Sequence, residues 1–252
     1  AMTLTVVEPT MNGLGGDLFA LVHDGANLHG LNSSGRSAKA WQPERLAAAG
    51  TMPMTGWDTV TVPGQVRRWE ALHSRFGRLA WGDLFETAIR YATDGFLVPH
   101  VVALHWAMQA NWFRDVPGFA ETFLPAGLAP EPGARFRNPY LASSLQCLAQ
   151  EGADAFYRGR LASQIVAFAE ETGGSMDKGD LESHAAEWVE PMSVDFAGAT
   201  IHELPPNGQG LTALIALALI ERVGFGRNAA TDLHVEIEAT RRAREIVART
   251  VG

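Results

Sequence analysis

The chain is poor in the features that would lock its fold covalently or tie it to a charged polymer. Among its 252 residues there is one cysteine, Cys147, so no disulfide can form within the chain and the fold must rest on core packing. Cys147 lies in an apolar helical stretch and is expected to be a buried small hydrophobe. The compartment stays open, because a periplasmic protein can also lack disulfides. Lys and Arg number 20 against 28 Asp and Glu, a formal net charge of −8. That balance excludes the clustered basic surface that nucleic-acid phosphates or an anionic membrane require. Long apolar runs are missing too. The most apolar stretch, Leu211 to Ile220, is about half of the roughly 18 residues that a membrane span needs, so a soluble chain is expected. Its opening, Ala1-Met2-Thr3-Leu4, looks entered mid-element. An upstream targeting segment would fit, and cytoplasmic and periplasmic locations both remain open.

Several catalytic signatures are also missing. Gly-x-Ser-x-Gly does not occur. The nearest serine cluster, Asn32-Ser33-Ser34-Gly35-Arg36-Ser37, leads into no convincing helix, whereas a nucleophile elbow needs a strand-to-helix turn to expose its serine. This segment is read as a loop presenting Arg36. The eight histidines include no pair four residues apart flanking a glutamate, so neither a zinc helix nor any other metal site is expected. The five-residue step from His100 to His105 would misalign two imidazoles on a helix. Met11-Asn12-Gly13-Leu14-Gly15-Gly16-Asp17 is glycine-rich after an expected strand. It leads into another strand and not into the helix N-terminus that a pyrophosphate needs, which favours a tight backbone turn near a site over nucleotide binding. No cofactor is expected.

What is present is a mixture of hairpins and helices. Leu18 to His23 and Asn27 to Asn32 flank Asp24-Gly25-Ala26, a strong hairpin signal. Pro63-Gly64 opens an amphipathic helix with Val66, Trp69, Leu72 and Phe76 on one face, closed by Gly77. A second helix runs from about Gly82 to Asp94, with Leu84, Phe85, Ala88, Ile89 and Ala92 inward and Gly95 as its stop. Pro117 to Pro139 is expected to be a long loop. Tyr140 to Gln150 and Asp154 to Thr172 are expected to be helices, and Trp188 to Phe196 with Ala199 to Leu204 a second hairpin. Pro205-Pro206-Asn207-Gly208 cannot continue a strand, and Leu211 to Val223 is a helix apolar nearly all round that should be buried. A last helix starts at Thr231 as N-cap. Hairpins and helices interleave without a strand-helix-strand rhythm, so the class is α+β, with antiparallel sheet covered by helices.

Taken in order, Thr5-Val6-Val7-Glu8-Pro9, Gly13-Leu14-Gly15-Gly16-Asp17, Val62-Pro63-Gly64, Ala92-Thr93-Asp94-Gly95-Phe96, Asp154-Ala155-Phe156-Tyr157, Glu203-Leu204-Pro205-Pro206 and Glu236-Ile237-Glu238-Ala239 resemble the γ-glutamyltransferase family. The resemblance implies the large-chain half of a four-layer αββα sandwich of the N-terminal-nucleophile hydrolase type. A self-cleaving proenzyme makes it, and residues 1–252 would be a single domain fragment completed by a separate small chain. It also implies that Arg36 grips the carboxylate of the donor, a task suited to a planar guanidinium fork. Family enzymes follow that arginine with glutamate, then Ala-Pro a little later, whereas this chain has Arg36-Ser37-Ala38-Lys39. Asn207-Gly208-Gln209-Gly210 likewise departs from the serine-rich form of the transferases. Both departures point toward the acylase and amidohydrolase branches.

The family's nucleophile is an N-terminal threonine whose own amine is the base. Ala1 has no hydroxyl, and internal threonines such as Thr51, Thr55 and Thr231 have their nitrogens in peptide bonds. The resemblance therefore places no catalytic residue in this chain and implies a partner chain beginning with threonine, with a higher oligomer compatible. The expected activity is an amidohydrolase or aminoacyl transfer on a small carboxylate-bearing amide, glutathione-like γ-glutamyl compounds being the first choice. An acylase or oxamate-type hydrolase is the enzymatic alternative, separable by testing a dipeptide acceptor. A degenerate, non-catalytic structural subunit is the alternative of another class, decided by the first residue of the partner chain.

Overall fold

The computed structural model describes residues 1–44, 47, 50–224, 226 and 228–251. In chain order it begins with a short helix α1 (Leu4–Val7), the hairpin strands β1 (Leu18–His23) and β2 (Leu28–Ser33), and helices α2 (Gln65–Phe76) and α3 (Glu86–Asp94). A two-residue strand β3 (Phe96–Leu97), helices α4 (His100–Phe113) and α5 (Phe119–Phe123), and strand β4 (Arg135–Phe136) follow. Helices α6 (Pro139–Glu151), α7 (Asp154–Tyr157), α8 (Arg160–Thr172) and α9 (Lys178–Glu182) come next. The chain then forms strands β5 (Glu187–Val189), β6 (Met192–Phe196) and β7 (Ala199–Glu203) and helices α10 (Gly210–Val223) and α11 (Ala229–Thr250). The class is α+β, as the sequence pattern leads one to expect.

The chain divides into two compact units. The first, residues 1–17 and 35–185, is mainly helical, with the short β3–β4 pair. Its α2 turns Val66 and Trp69 inward, and α3 turns in Ala88 and Ala92. Burial of a side chain such as Val66 contributes about 1.5–3 kcal/mol. Two indole nitrogens find backbone partners: Trp81 Nε1 donates to the Leu148 carbonyl at 2.7 Å and Trp106 Nε1 to the Phe123 carbonyl at 2.9 Å. Cys147 is buried on α6 with its Sγ 3.5 Å from Glu151 Oε1.

The second unit, residues 18–34 and 186–252, contains antiparallel sheet and two long helices. Strands pair in the order β1-β2-β5, with Leu18 opposite Ser33 and Leu31 opposite Trp188. β6 and β7 form a separate hairpin, with Val194 opposite Ile201. α10 buries Leu214, Ala216 and Ile220, while Ile215 and Leu219 are half-buried. Among the described residues, no helix is long and apolar enough to cross a membrane.

Five local readings need correction. The segment before the glycine turn is α1, not a strand; its backbone bonds locally, Val7 N to Thr3 O at 3.1 Å and Glu8 N to Leu4 O at 2.9 Å, and Thr5 donates its hydroxyl to the Met2 carbonyl at 2.7 Å. The stretch Pro117 to Pro139 contains α5 and β4. The helix expected over Asp154 to Thr172 is two, because Gly159 leaves the helical region at φ −93°, ψ −149°. The strand expected over Trp188 to Phe196 is also two. Glu190-Pro191 interrupts it, since Pro191 has no N–H for a ladder, and β5 and β6 join different sheets. The last helix is capped by Asn228 and not by Thr231: the Asn228 side chain accepts the Thr231 N–H at 3.0 Å.

Candidate functional site

The glycine turn and the start of α2 are strapped together by backbone. Gly16 N donates to Gly13 O at 3.1 Å, and the Gly16 carbonyl accepts from both Gly64 N at 3.1 Å and Gln65 N at 2.9 Å. These are N–H groups that a helix start leaves without partners of its own. Buried Gln65 adds a bond from Nε2 to Asn12 Oδ1 at 3.1 Å. The turn and Gln65 line a cavity of about 400 Å³. The segment is a tight backbone turn whose Gly16 carbonyl anchors the start of α2.

Asp17 ends the turn. Its Oδ1 accepts the Gly35 N–H at 3.1 Å, and the Gly64 N–H, itself bonded to the Gly16 carbonyl, also favours the charged carboxylate. One turn into α2, Arg68 is entirely buried and is coupled electrostatically to the Asp17 carboxylate. Burial pulls the Arg68 pKa down to about 10, partly offset by Asp17. Asp17 as a whole keeps solvent contact. Even so, burial of its carboxylate raises its pKa against the opposing pull of the two N–H groups and Arg68.

Beyond Asp17 the Arg36 loop is pinned on both sides. The Arg36 carbonyl accepts from Val62 N at 2.9 Å. Two residues on, Ala38 is buried among Val62, Ala162, Ala169, Met176 and Leu181. Lys39 N then donates to Asp180 Oδ1 at 2.9 Å. Asp180 is itself buried and locked in a capping box with Asp177. Between these anchors only Arg36 and Ser37 are exposed. Gly35 has to be glycine here, because a Cβ at that position would collide with the Val62 carbonyl. The loop thus has little freedom in its backbone while presenting a guanidinium and a hydroxyl.

Two of the family-like segments meet behind this loop. Tyr157, from the Asp154-Ala155-Phe156-Tyr157 segment, is buried, donates its hydroxyl to the Pro63 carbonyl at 2.7 Å, and accepts the Arg67 N–H at 3.0 Å. Arg67 lies 4.4 Å over the Tyr157 ring and pairs with Glu70 at 2.7 Å and Asp154 at 2.9 Å. The desolvated phenol has its pKa pushed above the ordinary tyrosine range. Tyr157→Phe strands a carbonyl and an N–H at once. It should lower stability by about 1–3 kcal/mol, read from the midpoint of urea unfolding.

The serine cluster does not form a nucleophile. Ser33 is buried, and Ser34 Oγ is 2.9 Å from both Asn32 Oδ1 and Asn207 Oδ1. With Asn32 Nδ2 donating to Asn207 Oδ1 at 3.2 Å, these side chains tie the end of β2 to the Pro205-Pro206-Asn207 turn. Sequence reasoning singled out Arg36 but assigned nothing to Asp17, Arg68, Tyr157 or Asp180. A signal for the first two was available: an aspartate closing a glycine turn, and an arginine lying between inward positions of an amphipathic helix.

Comparison with known proteins places this arrangement. The γ-glutamyltranspeptidase family profile matches residues 1–252. The chain belongs to this family. It is 37% identical over 225 residues to the glutathione hydrolase-like YwrD proenzyme of Bacillus subtilis, covering 88% of this chain and 43% of that protein. Against the oxamate amidohydrolase proenzyme of Klebsiella pneumoniae it is 38% identical over 252 residues, covering 96% of this chain and 48% of the relative. The chain therefore spans about half the length of these relatives. Among solved structures, cephalosporin acylase from Bacillus halodurans superposes with a TM-score of 0.91 at 40% identity, covering 96% of this chain and 47% of the acylase. The γ-glutamyltranspeptidase of Helicobacter pylori also gives 0.91, at 26% identity, covering 98% and 74%. The fold is that of the family's N-terminal-nucleophile hydrolases, an α+β fold.

Proposed function

We propose that residues 1–252 are one fragment of a two-chain amidohydrolase or acyl transferase, in which Arg36 grips the carboxylate of a small amide and a threonine heading a separate small chain attacks its carbonyl. The observation that carries this reading is the family match over the whole length of the chain, shared with proteins named as amide-cleaving enzymes and as proenzymes. Glutathione, oxamate and cephalosporins all carry a carboxylate, and an exposed guanidinium on a pinned loop is a suitable partner for one. The charge and the fork would orient the acid end, so that the amide carbonyl meets the nucleophile in a fixed pose.

A small chain is also supported by what this one leaves uncovered. Phe19 and Leu21 on the edge strand β1 are 44% and 39% exposed, and Ile237 on α11 is 57% exposed. An open strand edge with apolar side chains is a surface that proteins cover.

Hydrolysis of a small acid amide is favoured over γ-glutamyl transfer by Ser37, which stands where the family resemblance puts a glutamate that helps hold the end of the donor. Greater identity to the oxamate amidohydrolase and the cephalosporin acylase than to the H. pylori transpeptidase points the same way. A panel of γ-glutamyl p-nitroanilide, glutaryl p-nitroanilide and oxamate, with and without glycylglycine as acceptor, tests it. Hydrolysis unaffected by the acceptor is the expected result, and strong acceleration by the dipeptide would favour the transferase.

Arg36→Lys should lower kcat/KM by about 1.5–3 kcal/mol, the scale of a charge-assisted contact, with proenzyme cleavage intact. An unchanged kcat/KM would return Arg36 to an ordinary surface charge.

A further inference from the structure

We infer that Asp17 is a positioning residue for substrate capture: by accepting the Gly35 N–H and balancing the buried Arg68, it fixes the main chain from which Arg36 projects. This rests on the proposed role of Arg36 as the carboxylate grip.

The loop has three attachments, and they bear on different atoms. The Val62 N–H holds the Arg36 carbonyl and Asp180 holds the Lys39 N–H. Asp17 holds the N–H of Gly35, the residue immediately before Arg36, so it governs the direction in which the chain enters Arg36. Gly35 has no slack toward Val62, whose carbonyl fills the space a Cβ would need. A displacement at Asp17 is therefore passed on to Arg36.

The carboxylate is matched to this position in two ways. It accepts the Gly35 N–H, which ties the Arg36 loop to the end of the glycine turn. It is also coupled electrostatically to Arg68, whose complete burial makes an uncompensated charge costly. Substrate never needs to touch Asp17 for this to matter. Its effect reaches the substrate through Arg36.

The test uses the full, matured two-chain enzyme and whichever of γ-glutamyl p-nitroanilide, glutaryl p-nitroanilide or oxamate the wild type turns over fastest. Asp17→Ala combined with Arg68→Met removes both charges and the acceptor; Asp17→Asn with Arg68→Met removes both charges but leaves an amide oxygen for Gly35. The first pair should raise KM roughly tenfold, the scale of a lost hydrogen bond to a charged group, with kcat within about twofold of wild type. The second should return KM to within about threefold, because the acceptor is restored. Equal losses of kcat in both pairs, or a wild-type KM in the first, would overturn the assignment. Asp17→Glu keeps the charge, moves the acceptor by one methylene, and serves if the pairs do not mature; it should raise KM, and a wild-type KM there is equally fatal. Arg36→Lys in the same assay separates the two claims. If it is impaired while the Asp17 variants are not, only the positioning role fails; if it is unimpaired, the carboxylate grip itself fails.

Discussion

Turnover should fall by on the order of 10³-fold or more when the first threonine of the small chain is replaced or its amine blocked, as expected when a catalytic nucleophile is removed. A threonine hydroxyl is a poor nucleophile at neutral pH without a base in hydrogen-bond reach, and in this enzyme class the base is the residue's own freed amine. Threonines inside residues 1–252 have that nitrogen in a peptide bond, so none can act this way. The same logic predicts that this chain alone is inactive. Mass spectrometry of the native protein should find a companion chain headed by threonine, and selective carbamylation of that amine should remove activity in proportion to its occupancy. Full activity from the 252-residue chain by itself would refute the nucleophile assignment.

Gly35→Ala is expected to lower kcat/KM about 100-fold, since displacing a positioning group by about 1 Å can cost that much. The added Cβ would meet the Val62 carbonyl. Val62 cannot retreat easily, because it is buried beside Ala38 and its own N–H is committed to Arg36. The loop must therefore yield, and with it the guanidinium. Overpacking of this kind should also cost about 1–3 kcal/mol of stability, so melting and kinetics should be measured together. A variant that melts early but, while folded, keeps its wild-type kcat/KM would show that the pose of Arg36 does not matter.

The parts of the fold legible in the sequence were those with one clear period and clear punctuation. Asp24-Gly25 marked the first hairpin, and Gly64 and Gly77 bracket α2. By contrast α4 carried no readable stripe: Val102, Ala103, Trp106 and Ala110 are buried, yet Val101, Leu104, Met108 and Trp112 on its other side are apolar and exposed. Apolar residues on both faces cancel the helical period. The run from Trp188 to Phe196 does carry a local break, Pro191, but that its two pieces join different sheets is not visible in local composition. Arg36 was named through family resemblance, because an arginine in a loop carries no local signal of its own. Asp17 and Arg68 were missed for a related reason. Their significance lies in burial and in an electrostatic coupling across 51 positions of the chain, and a charged residue on a helix is ordinarily assigned to the solvent side.

The buried position of Cys147 makes this chain a convenient frame for site-specific labelling. A thiol enclosed in the helical centre of the first unit is poorly accessible to maleimide or methanethiosulfonate reagents, while Ser37 is exposed beside Arg36. Ser37→Cys would therefore place the one readily labelled thiol of the chain at the mouth of the proposed substrate grip, where a nitroxide or fluorophore could report on the binding of each acid amide without replacement of the native cysteine.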